Sequence, residues 1–186
     1  MAPRIDTLLL IALLVGPLAA QEGPKAIALG LHGKDFDEWS FSLGREFPGA
    51  HGNLWQTPEG VAFAGEFWKG GNYVSISRNF AEPVDVKALV LEIRSEEAAT
   101  LGFRITDSTG QVFQQRLSLS ESPGWQRLAI RDLLGKKDPI SWGGAKDGKW
   151  HGPAKSISFL LDRGALRDRE KKQGMISLRS VLLECP

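Results

Sequence analysis

Two runs decide how this chain folds: Ala88-Leu89-Val90-Leu91-Glu92-Ile93-Arg94-Ser95 and, after a short polar break, Leu101-Gly102-Phe103-Arg104-Ile105-Thr106. Leu89, Leu91 and Ile93 take alternate positions in the first, with Glu92 and Arg94 turned the other way. Leu101, Phe103 and Ile105 alternate with Gly102, Arg104 and Thr106 in the second. A period of two is the repeat of a strand, and a polar second face marks an antiparallel sheet with one side in water. Asp107 to Gly110 then turns the chain, because Asp and Ser bond locally to the backbone and Gly accepts positive φ.

The same reading extends along the chain. Val112 to Leu119 buries Phe113, Leu117 and Leu119, and Tyr73 to Phe80 sets Val74 and Ile76 against Ser75 and Ser77. Further strands are expected at Trp125 to Ile130, at Ile157, Phe159 and Leu161, and from Met175 to Glu184. In the last of these, Ile176 and Leu178 have one parity and Val181 and Leu183 the other, so a bulge near Arg179 and Ser180 is needed to keep both pairs inside. Arg131 to Lys155, rich in Gly and holding Trp142 and Trp150, reads as one long loop. No stretch keeps a 3.6-residue period over ten residues, which removes the crossover helices that parallel sheets require. The fold class is therefore all-β, an antiparallel β-sandwich or jelly roll of about eight or nine strands.

At 186 residues and 20.4 kDa the chain holds one core, and 23 Lys+Arg against 22 Asp+Glu leave a formal charge of +1. Such a balance disfavours nucleic acid as a partner. The densest basic run, Arg163 to Lys172, is interleaved with Asp168 and Glu170, follows Asp162, and reads as a solvated loop. Arg4, the apolar run Leu8 to Val15 and the small residues Ala19 and Ala20 make residues 1–20 an expected signal peptide, giving a secreted or periplasmic protein with no membrane association after cleavage. An N-terminal segment, 21–37, then precedes the sandwich, 38–186. Cys185 has no second cysteine to pair with, so the domain relies on its core alone for stability.

Chemistry is sparsely marked. His32, His51 and His151 are scattered, without the paired spacing of zinc ligands or a Ser or Cys partner, and Asp35, Asp37, Glu66 and Asp107 offer only unspecific carboxylate pairs. The six tryptophans are more informative. Trp39 and Trp125 fall where a strand would bury them and are expected in the core. Trp68, Trp142 and Trp150 stand among Gly and Lys, in Phe67-Trp68-Lys69-Gly70-Gly71 and Trp142-Gly143-Gly144-Ala145-Lys146-Asp147-Gly148-Lys149-Trp150-His151-Gly152-Pro153. An indole exposed on a rigid loop stacks on the apolar face of a sugar ring, so the expected ligand-binding set is Trp68, Trp142 and Trp150 with Lys146, Asp147 and His151. The same indoles could instead close one end of the sandwich as a small apolar cluster.

Glu46-Phe47-Pro48-Gly49-Ala50, Gly70-Gly71-Asn72-Tyr73-Val74, Arg104 to Gln111, Gly124-Trp125-Gln126 and Trp142 to Ala154 follow one another in an order that resembles the carbohydrate-binding-module-like domains of the galactose-binding-like superfamily. The resemblance runs from about Trp39 to Leu183. It implies a jelly roll that binds polysaccharide or oligosaccharide on a sheet face or at loop tips, without catalysis, in the company of secreted polysaccharide-degrading proteins. A structural calcium is common in such domains, but Arg179-Ser180 stands where many relatives have two Asp, so no metal or other cofactor is expected. Competing readings are a structural or assembly module that binds another secreted protein, and a small polysaccharide lyase or hydrolase. A lyase would draw on Tyr73, the single tyrosine.

Overall fold

The computed structural model describes residues 25–134 and 140–186; the expected signal peptide lies outside the described residues. Among them are twelve strands: β1 (Ala26–Ala28), β2 (Trp39–Ser42), β3 (His51–Thr57), β4 (Gly60–Glu66), β5 (Tyr73–Val84), β6 (Ala88–Arg94), β7 (Thr100–Thr106), β8 (Val112–Ser118), β9 (Gln126–Ile130), β10 (Ile140–Trp142), β11 (Ala154–Asp162) and β12 (Gln173–Glu184). They form two six-stranded antiparallel sheets. The first has the order β3-β4-β12-β6-β9, with β1 on the end of β12, and the second runs β10-β8-β7-β11-β5-β2. The fold class is the antiparallel sandwich that the alternation predicts.

The strand count exceeds the expected eight or nine for a physical reason. β1 and β10 are three residues long, too short to display an alternation. In β4, Gly60, Ala62 and Ala64 alternate with the buried Val61 and Phe63, so its outer positions are small rather than polar and the strand shows no polar alternation. β10 also interrupts what reads in sequence as one loop from Arg131 to Lys155, by pairing Trp142 with Val112 and Ile140 with Gln114. The chain before Trp39 is woven into the sandwich from Lys25 onward: β1 pairs with β12, and Leu29 and Leu31 enter the core.

Between the sheets lie Phe63, Phe103, Phe113 and Phe159, all without solvent exposure, together with the alternate aliphatics of β4 to β7, β11 and β12. Trp39 stacks on Phe159, at 6.1 Å between ring centroids, and its indole N–H donates to the Gly30 carbonyl at 3.0 Å, so it is a core residue with its one polar atom satisfied. Trp125 is a correction to the sequence reading. It stands outside the first sheet, half-buried, with the guanidinium carbons of Arg94 and Arg179 each 4.9 Å from its ring and its N–H donating to Glu59. It precedes β9 by one residue, so the parity of Leu128 and Ile130, which do face inward, does not extend to it.

The bulge in the last strand is present. The β12–β6 register slips between Leu178 and Ser180, which leaves Arg179 as the extra residue and keeps Ile176, Leu178, Val181 and Leu183 all inside. Arg179 turns outward, to Glu92 at 2.9 Å and to Trp125. Deleting Arg179 should therefore give a regular strand with the same four residues inside, still unfolding cooperatively in urea and weaker by only ~1–2 kcal/mol, the sum of one cation–π contact and one surface pair. Deleting Leu182 instead turns Leu183 outward and should cost ~2–5 kcal/mol or abolish the transition.

Candidate functional site

Residues that alternate with the core on the second sheet form its outer face. Since Phe103 and Ile105 of β7 are fully buried, Gly102 and Arg104 must point out; by the same parity so do Gln114 and Arg116 of β8, Leu160 and Asp162 of β11 and Tyr73 of β5. These residues floor a cleft of about 660 Å³. Gly102 keeps the floor open where a Cβ would sit 2.9 Å from that of Leu160.

At the centre is the guanidinium of Arg104. Its carbon lies 4.8 Å from the Tyr73 ring and 5.1 Å from the Trp142 ring, so one cation is shared by two aromatic faces. Arg104 Nε donates to Gln114 Oε1 at 2.6 Å and a terminal nitrogen donates to the Tyr73 hydroxyl at 3.3 Å. Tyr73 in turn donates its proton to the Glu46 carboxylate. That bond, with Glu46's own backbone N–H and the nearby Arg104 charge, holds the Glu46 carboxyl below the usual range against the opposing effect of partial burial. Burial, then Glu46, push the Tyr73 phenol up, and Arg104 offsets only part of this. Phe47 meets the Tyr73 ring edge-on at 6.5 Å and is 47% exposed, while Trp142 is 41% exposed. A tight turn closed by Phe47 N–H to Gly44 C=O presents Phe47, and Gly44, at φ +59°, could not carry a Cβ without meeting the Tyr73 carbonyl at 2.9 Å.

The segment linking β11 to β12 makes the lip. Arg163, Arg169 and Lys172 line the cleft there, and the Lys172 ammonium lies 5.6 Å from the ring of Trp68, which is 57% exposed. The expected ligand-binding residues are thus divided between places. Trp142 joins Arg104 and Tyr73 on the sheet face, and Trp68 stands behind Lys172 at the lip. Lys146, Asp147, Trp150 and His151 lie around the β7–β8 turn. There Trp150 packs edge-on against Phe113 at 5.7 Å and belongs to the core margin. Asp147 accepts from the Lys149 N–H and from His151 Nε2, and chiefly the backbone bond to Lys149 brings its pKa down to about 2.

Asp107 organises that end. It is fully buried, and its carboxylate accepts from the Thr109 N–H (2.9 Å) and hydroxyl (2.7 Å), the Gln111 N–H (2.9 Å) and the His151 N–H (3.1 Å). Burial alone would raise its pKa, but the Thr109 hydroxyl and the three backbone donors together hold it below the ordinary value. Gln111, also buried, completes the clamp by donating to the Lys149 carbonyl at 2.7 Å and accepting from the Gly148 N–H at 3.2 Å.

Sequence reasoning missed Arg104, Tyr73, Phe47 and the lip cations as one group. The outward parity of Arg104 and Tyr73 is readable, but nothing in one sequence says that β10 lies beside β8 or that the Arg163 to Lys172 run folds over the same face. No family profile and no curated protein matches the sequence. Solved structures do resemble it in fold. A family 29 carbohydrate-binding module overlays with a TM-score of 0.51 at 12% identity, covering 86% of this chain and 91% of that one. The xylan-binding module CBM15 gives 0.51 at 12%, covering 88% and 97%. The family 11 carbohydrate-binding module from Clostridium thermocellum, in complex with a β-1,3-1,4-mixed-linked tetrasaccharide, gives 0.53 at 12%, covering 88% and 98%. This chain thus has the β-sandwich of the carbohydrate-binding modules.

Because the folded pKa of Asp107 lies below that of the unfolded chain, its stabilisation is present above about pH 4 and is lost as pH falls through the folded value. Asp107→Asn should lower stability at pH 7 by ~1–3 kcal/mol, since it replaces charge-assisted bonds with neutral ones, and the gap to the wild type should narrow below about pH 4. Urea unfolding across pH checks both.

Proposed function

We propose that the mature domain is a non-catalytic polysaccharide-binding module, exported to the periplasm or medium, that lays a glycan chain across the outer face of its second sheet. The observation that carries this reading is the exposed aromatic pair, Trp142 and Phe47, set on either side of the fixed Arg104–Tyr73 pair. Rings of this kind stack on the apolar faces of sugars, and the polar groups between them fix orientation. The xylan and the mixed-linked tetrasaccharide named for two modules of the same fold support the class of ligand. Trp68 extends the platform at the lip, while Lys146, Asp147 and His151 act as the support of the segment that carries Trp142.

A lyase would need the Tyr73 phenolate or another base at the glycan. Tyr73 is held in its protonated form by burial and by the Glu46 carboxylate it donates to, which is the opposite of what proton abstraction near neutral pH demands. Binding without turnover is the expected outcome.

Affinity electrophoresis against a panel of plant and algal polysaccharides tests the proposal. Trp142→Ala should remove retardation while leaving the melting temperature within a few degrees, because the side chain sits on a three-residue edge strand. Trp150→Ala should lower the melt by ~2–4 kcal/mol of stability through its contact with Phe113. If no glycan retards the wild type and Trp142→Ala also lowers the melt sharply, a protein-binding assembly module takes the place of this reading. Accumulation of an unsaturated, ultraviolet-absorbing product would instead establish a lyase acting by β-elimination.

A further inference from the structure

Building on the polysaccharide reading, we infer that the ligand is an anionic glycan, one bearing carboxylate or sulfate groups along its chain. The cleft is lined by five cationic side chains, Arg104, Arg116, Arg163, Arg169 and Lys172, and by one carboxylate, Asp162. In a chain of formal charge +1 this is a strong local segregation. Among the described residues only Arg116 of the five has a carboxylate partner, Asp162 at 3.2 Å, and that pair is open to water on the Arg116 side. Among the described residues Arg163, Arg169 and Lys172 form no ion pair, and Arg104 meets the Glu46 carboxylate only through the Tyr73 hydroxyl.

Hydrogen-bond inventory leads the same way. Guanidinium and ammonium groups donate and never accept. Of the side-chain acceptors in the lining, Gln114 Oε1 already takes Arg104 Nε and Asp162 Oδ2 takes Arg116, which leaves the cations as the larger share of the hydrogen-bonding groups. A wall of donors fits a ligand rich in acceptors. A carboxylate or sulfate presents only acceptors, and a guanidinium meets it with two parallel bonds. The ring faces of Trp142 and Phe47 supply what a simple anion would not use, a surface for the sugar itself. Aromatic rings beside cations thus select a charged carbohydrate over free phosphate or chloride.

The test uses the full chain and paired polymers: polygalacturonate with its fully methyl-esterified form, and a sulfated galactan with its desulfated form, with poly(U) as a charged polymer lacking pyranose rings. The charged member of at least one pair should bind and its neutral twin should not; which pair responds tells carboxylate from sulfate. Raising salt from about 50 to about 500 mM should weaken binding about tenfold or more. Arg163→Gln with Arg169→Gln, both on the exposed lip, should weaken binding about tenfold with an unchanged melt. Neutral twins that bind as well as the charged forms, an unaffected double variant, or poly(U) bound as tightly as any glycan would each overturn the inference and leave polysaccharide binding standing. Failure to bind any glycan, neutral or charged, would overturn the polysaccharide reading itself.

Discussion

One carboxylate without access to solvent holds the site in place. An isolated ion in the position of Asp107 would cost several kcal/mol, and four donors, from Thr109, Gln111 and His151, offset that cost. Two of the residues that donate lie in the β7–β8 turn and the third lies beyond β10, so the same bonds that neutralise the burial also tie the returning chain to the turn. β10 joins β8 through three residue pairs only, too few to fix an edge strand alone. The position of Trp142 over Arg104 therefore depends on a carboxylate that touches neither of them.

Arginine and tryptophan meet on both faces of the sandwich, with different results. Outside the first sheet Trp125 has two guanidinium groups at its ring, and each has a carboxylate, Arg94 with Glu59 and Arg179 with Glu92. Charge is balanced and the indole is covered. Outside the second sheet the ratio is reversed: one guanidinium lies between two rings, and its nearest acid, Glu46, is reached through the Tyr73 hydroxyl. The first arrangement is complete in itself, whereas the second leaves aromatic edge and positive charge facing solvent.

The sandwich was legible because burial on one face imposes parity, and parity survives in sequence even across the β12 bulge, where two apolar pairs of opposite phase could be reconciled only by an extra residue. Parity also carries Arg104 and Tyr73 to the outer face. What it does not carry is adjacency. The cleft is assembled from β5, β7, β8 and β11, with β10 beside β8, and the order of these strands in the sheet is not their order in the chain. Trp125 and Trp150 show the matching limit, since being beside a strand or within a Gly-rich loop does not fix which side of an aromatic is covered. Trp125 went to the surface and Trp150 to the core margin.

Charge shows the limit most clearly. Arg163 to Lys172 holds five bases with Asp168 and Glu170 among them and reads in sequence as a solvated loop. Folding separates them. Asp168 turns its carboxylate onto the Glu170 N–H at 3.0 Å and its carbonyl to the Lys171 N–H at 3.3 Å, so the acid closes a turn within the segment. Asp162, at the end of β11, is taken by Arg116. The Arg163 N–H is fastened to the Asn72 carbonyl at 2.8 Å, which sets the segment against the sheet, and Arg163, Arg169 and Lys172 reach the cleft. Short acidic side chains bond to nearby backbone and long basic ones extend past it, so a run whose excess of bases is tempered by acids in composition presents only its bases to the space beside it.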